Sequence, residues 1–250
     1  MQRTLAVAYG LVAYLIFFAT FLWLVAFLAG LPFVPTTVDD GVNGQPLAQA
    51  MVVDLALIAL FGLQHSVMAR PRFKAAWTRI VPSSLERSTY VLAASLMLAL
   101  LLWFWHPIEG TVWDVRGTAA EPVLWTVFAI GWAVLFISTW LINHFELFGL
   151  KQSWNHGRPA DPGPAKLREP MFYRYVRHPL YLGFSIAFWS VPFMSIGHLL
   201  FVIGMQVYIL IGIAHEERDL RAHFGSAYDD YSARVGKLLP GIGRRARPTA

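Results

Sequence analysis

The chain has 250 residues, of which 56% are hydrophobic and 14% charged, with a net charge of +5 and no cysteine. A soluble domain carries about 25% charged residues, so the composition points to an all-α integral membrane protein. The missing cysteines exclude disulfides and thiolate metal ligands. The positive charge could serve nucleic acid, but its placement along the chain argues for membrane orientation and against a nucleic-acid partner.

Arg3 precedes an apolar run over residues 5–29, which ends at Gly30-Leu31-Pro32. That run exceeds the roughly 7–15 apolar residues of a cleaved signal peptide, so a retained spanning helix is expected. Further spans are expected over 47–68, 88–106 and 122–143, each near the ~20 residues that cross ~30 Å of hydrocarbon. The stretch from Glu146 to Arg177, with Pro159, Pro162, Pro164 and Pro170, reads as an irregular polar loop.

Two apolar runs follow, 180–195 and 198–214, separated by Ile196-Gly197. Each would be about 25 Å long as a helix, enough for a hairpin that is re-entrant or just spanning. The whole reads as one membrane domain. Residues 1–144 form a four-helix part, 145–178 a loop, 179–214 the hairpin and 215–250 a C-terminal segment ending in Arg244, Arg245 and Arg247.

Of the 20 Lys and Arg residues, Arg116 alone falls on the side of the loops after the first and third helices. The positive-inside rule makes the other side cytoplasmic, with both termini on it. Membrane lipids are therefore expected partners, in a bacterial inner membrane.

Titratable groups gather at that cytoplasmic edge: His65 beside Gln64, then His144 and Glu146, then His178, then His215, Glu216 and Glu217. Ionisable residues at membrane depth are costly and point to function, although interfacial His and Glu also snorkel into headgroups. His144 and Glu146 lie about 200° apart on an ideal helix, so either the helix ends between them or one of them faces away. Asp54 lies three turns from His65 on the same face, and a structural pairing is expected for it.

Pro179 suits the first turn of a helix, whose free N–H groups favour a carboxylate. Glu216 and Glu217 at a helix C-terminus oppose the dipole. Either Arg218 and Arg221 compensate them, or a bound cationic ligand does. Tyr181, Tyr228 and Tyr231 could line a site for a sulfonium or an adenine ring.

The run Arg177-His178-Pro179-Leu180-Tyr181-Leu182-Gly183, with Glu216-Glu217, Phe224-Gly225, Tyr228 and Tyr231, resembles the isoprenylcysteine carboxyl methyltransferase and phospholipid methyltransferase superfamily. The resemblance implies S-adenosyl-L-methionine in a cytoplasm-facing pocket, contacted by Arg177, His178, Tyr181, Leu182, Gly183, Glu216, Glu217 and Tyr231. Sterol-type reductases share a related motif and use NADPH, but they are longer, with more spans. Upstream, Gln64-His65-Ser66, Glu86-Arg87-Ser88-Thr89-Tyr90 and Asn143-His144-Phe145-Glu146 resemble the bacterial methanethiol S-methyltransferases and also a membrane family associated with denitrification. The former implies a small thiol substrate, converted to dimethyl sulfide.

A thiol is mostly protonated at neutral pH, so a base near the acceptor is expected. Glu146 in a desolvated pocket would take the proton, with His144 or His65 orienting it or sharing the proton. These catalytic side chains are expected to meet the cofactor-binding ones at the inner leaflet. The other readings are methylation of a larger lipid or prenyl thiol, a non-catalytic transport protein, and a His65–His144–Glu146 metal site. No tight spacing supports the last, so no metal is expected.

Overall fold

The computed structural model describes residues 2–41, 44–158, 167 and 169–244. Pro159, Pro162, Pro164, Arg245 and Arg247, named above, lie outside the described residues. In chain order the elements are α1 (Gln2–Leu28), α2 (Leu47–Ala69), α3 (Pro71–Trp77), α4 (Ser83–Trp103), β1 (Thr111–Asp114), α5 (Ala120–Ile142), α6 (His144–Leu147), α7 (Leu150–Trp154), α8 (Pro179–Trp189), β2 (Phe193–Ser195), α9 (Ile196–Phe224) and α10 (Ser226–Arg234). A 3₁₀ turn, Met171–Arg174, precedes α8. Among the described residues α1, α2, α4, α5 and α9 are long and apolar enough to cross a membrane. The chain is an all-α integral membrane protein.

The hairpin differs from its sequence reading. α8 has 11 residues, about 16 Å of helix, so the helix by itself covers only part of the ~30 Å of hydrocarbon. It stops at Trp189 because Pro192 disfavours helical backbone before it. β2 then pairs antiparallel with β1, Thr111 opposite Ser195 and Trp113 opposite Met194. The second arm runs the other way in length: α9 continues through His215–Leu220 to Phe224 as 29 residues. After Gly212 neither Gly nor Pro occurs until Gly225, whose φ of 55° ends the helix.

The described chain gathers into two compact units. The first holds residues 1–116, 144–160 and 193–205. Its helices close up on small side chains. A Cβ on Gly10 of α1 would lie 2.5 Å from the Ser153 hydroxyl, and Ser153 and Ser88 hydroxyls are 3.0 Å apart. Gly149 has φ 86°, and a Cβ there would meet the Ser88 backbone at 2.6 Å, so glycine is required on both counts.

At the other end of this unit Phe27, Trp105 and Phe201 are fully buried against one another. Asp54, fully buried in α2, accepts the backbone N–H of His106 at 2.9 Å. This is the pairing role its place in the sequence implied. His198 is also buried there.

The second unit holds residues 117–143, 161–192 and 206–250. α5 and α8 pack at Gly131 and Gly183, where an added Cβ on either would meet opposing backbone at 2.6 Å. Tyr228, Tyr231 and Val235 form a core against Leu167, Leu220 and Phe224. The segment after α10 lies beside the start of α8: Val176 bridges Gly236, and the Arg177 and His178 amides donate to the Gly236 and Lys237 carbonyls at 2.8 and 3.2 Å.

Candidate functional site

Within the second unit the base of α8 is built around one guanidinium. Arg177, 4% exposed, donates Nε to Glu217 Oε1 at 2.9 Å and Nη2 to the same oxygen at 2.7 Å. Its Nη1 donates to the Ser232 and Val235 carbonyls and its Nη2 to the Gly243 carbonyl. A guanidinium has five N–H donors, and each has an acceptor from the protein. Arg177 is therefore a clamp on the C-terminal segment, which differs from the cofactor contact inferred for it from sequence.

Glu217 is 1% exposed, and its Oε1 also lies 3.2 Å from His178 Nε2, with Lys237 Nζ 3.8 Å from Oε2. Because α9 runs on to Phe224, the two glutamates are not at a helix C-terminus as the sequence reading placed them. Arg221, offered there as a compensating charge, instead pairs with Asp229 at 2.6 Å. Glu216, one residue back and about 100° around the helix, stays 46% exposed, with its Oε2 3.8 Å from His178 Nδ1. His178 thus stands between one sealed carboxylate and one open to ligand.

Pro179 occupies the first turn of α8, as expected. The Tyr181 ring is 5.8 Å from the His178 ring and half-buried. Leu182 is half-buried, its amide bonded back to the His178 carbonyl. Gly183 is a helix-packing glycine. Tyr228 and Tyr231 line no open surface: both are core residues, and the Tyr231 hydroxyl donates to the Tyr173 carbonyl at 2.7 Å. Burial pushes the Tyr228 phenol up to about 12, with the Glu217 carboxylate adding to it, and burial also raises Tyr173 and Tyr231.

Asn143 takes φ 136° and ends α5, and His144 then begins the short α6, which belongs to the first unit. The break falls before His144 and not between the two residues, which share α6 and face apart: His144 inward, Glu146 outward. His144 is buried, with Nε2 2.8 Å from the Tyr14 hydroxyl, and burial lowers its pKa. Glu146 is half-exposed and ion-paired with Lys151 at 2.7 Å, so the desolvated setting expected of it is not what surrounds it. His65 is partly buried, its ring 5.5 Å from Phe61 and 4.9 Å from Tyr90. Among the described residues no three His, Asp or Glu could hold a metal ion.

Tyr14, Tyr90, Arg87 and Lys151 had no role in the sequence reading. Arg87 and Tyr90 did stand in a quoted motif, so the signal was present without a mechanism. Tyr14 lies in an apolar run that hides its hydroxyl.

No family model matches the chain, and no solved structure matches it. Curated proteins do. Methanethiol S-methyltransferase 1 of Bradyrhizobium diazoefficiens is 49% identical over 238 residues, 95% of this chain and 83% of that protein. Methanethiol S-methyltransferase of Mycobacterium tuberculosis is 48% identical over 240 residues, covering 96% and 98%. Human Nurim is 35% identical over 184 residues, 67% of each chain.

Proposed function

Because the chain belongs to the methanethiol S-methyltransferase family, we propose that it methylates methanethiol to dimethyl sulfide with S-adenosyl-L-methionine as donor. The observation that carries the donor assignment is His178 held between sealed Glu217 and open Glu216. An exposed carboxylate next to an imidazole suits the ammonium or ribose of such a cofactor.

His178, Tyr181 and Glu216 make the direct contacts in this reading. Arg177, Glu217, Leu182, Gly183 and Tyr231 shape the frame that holds them. The bound cofactor supplies a methyl on an electrophilic sulfonium, and the chain supplies binding, orientation and removal of the thiol proton.

His144, His65 and Glu146 take the acceptor side. His144 is kept neutral by burial and oriented by Tyr14, and a neutral imidazole is an available base near pH 7. Glu146, 2.7 Å from Lys151 at the exposed edge, receives the proton on its way to water. The weight of the base thus moves from the carboxylate to an imidazole. The protein works in a bacterial inner membrane with both termini cytoplasmic, as the placement of its basic residues supports.

The test is purified protein in lipid nanodiscs with S-adenosylmethionine and methanethiol, with headspace dimethyl sulfide read by gas chromatography. Product formation that a prenyl thiol fails to suppress supports the reading. Turnover of the prenyl thiol alone would replace it with the lipid-methylating alternative.

A further inference from the structure

Arg87 sits on the first turns of α4, and two contacts fix its guanidinium. Its Nε donates to the Leu147 carbonyl at 2.7 Å, tying it to α6, which carries His144 and Glu146. Its Cζ stands 5.1 Å from the centroid of Tyr90, a cation–π contact. Tyr90 is 6% exposed and packs on the His65 ring. The guanidinium is close enough to His65 for its charge to act there.

The other charges nearby are already satisfied. Glu86 pairs with Lys74 at 3.9 Å, Glu146 with Lys151 at 2.7 Å, and Arg3 on α1 donates to the Trp154 carbonyl. Tyr9 and Tyr14, also on α1, engage Thr89 and His144. No carboxylate among the described residues lies within 4.0 Å of Arg87. Among the described residues the terminal N–H groups of this half-buried guanidinium meet no acceptor, and such a group is a seat for a small anion.

We propose that Arg87 binds the acceptor in its thiolate form. This rests on the reading of the reaction given above. An alkyl thiol is a weaker acid than cysteine, whose pKa is near 8.5, and a neighbouring guanidinium favours the anion. The S–H proton passes to an imidazole. The sulfur's electron pair then forms the new S–C bond, while the donor's C–S⁺ bond breaks toward the donor sulfur, leaving two neutral thioethers.

The experiment compares methanethiol with the bulkier and more acidic trifluoroethanethiol, with ethanethiol as the control for size, across pH, in wild type, Arg87→Met and Arg87→Lys. Arg87→Met should lose about tenfold or more in kcat/KM with methanethiol, one pKa unit of thiol acidity being worth that factor. Its rise with pH should move about one unit higher. With trifluoroethanethiol the loss should be under about threefold, and Arg87→Lys should recover most of both. Equal losses for methanethiol and trifluoroethanethiol, or a Lys variant as impaired as Met, would overturn the proposal. Calorimetry of S-adenosylmethionine binding reports that each variant is folded; if Arg87→Met is not, Arg87→Gln replaces it. A wild type that methylates none of these thiols would overturn the reading of the reaction and this proposal together.

Discussion

The Arg177 guanidinium and the Glu217 carboxylate form an ion pair at 2.7 Å with both side chains 1% exposed. Burying two charges costs several kcal/mol each, recovered only when every donor and acceptor is engaged. Here the remaining donors of Arg177 hold the carbonyls of Ser232, Val235 and Gly243, so the pair also fastens the C-terminal segment.

Removing one partner should therefore strand the charge of the other, so the two losses should overlap. Arg177→Met or Glu217→Leu alone should each lose about 3–5 kcal/mol, and the double variant less than their sum. Thermal melts and protease cleavage after Val235 read this. Strictly additive losses would mean that the two side chains act separately.

Glu216 and Glu217 should separate cleanly. Glu216→Gln should weaken S-adenosylmethionine binding by roughly tenfold, equivalent to ~1.4 kcal/mol, with an unchanged melting temperature. Glu217→Gln should lower the melting temperature first. Calorimetry beside thermal melts checks both, and a Glu216 variant with wild-type affinity would remove that side chain from the cofactor contacts.

The two glutamates also mark how far the sequence could be read. Hydropathy located the spans, and Pro179 and Asp54 took the places their chemistry implied. Adjacent glutamates, however, look identical in sequence, and only the helical turn of about 100° between them decides which is sealed. Three of Arg177's acceptors are backbone carbonyls, which no residue type announces. The extension of α9 beyond Ala214 carries no hydropathy signal, because His215–Arg221 keep helix propensity while losing hydropathy. β1 and β2 each depend on a distant partner, so neither is visible locally.

His144 gives a pH dependence of known sign. Burial lowers its pKa, so below the ordinary value of about 6.5 the unfolded chain binds more protons than the folded one. The contribution to stability is complete above that value and declines as the pH falls toward the folded pKa. His144→Gln should flatten this part of a melting-temperature profile between neutral and mildly acid pH. A slope that survives the substitution would assign the acid sensitivity elsewhere.

Gly183 and Gly131 should tolerate no side chain. A Cβ on Gly183 would lie 2.6 Å from the Leu135 amide nitrogen, and one on Gly131 2.6 Å from that of Ala187. Backbone cannot yield as a flexible side chain can, so Gly183→Ala should cost about 1–3 kcal/mol. A thermal melt in detergent checks it, and an unshifted melt would mean the helices can separate without loss.

Methyl transfer itself is tested most directly with S-adenosylmethionine carrying a deuterated methyl group. With methanethiol and purified protein, mass-resolved gas chromatography should find dimethyl sulfide bearing one labelled and one unlabelled methyl. S-adenosylhomocysteine should form in equal amount. Unlabelled product, or no product from protein that binds the donor, would contradict the account.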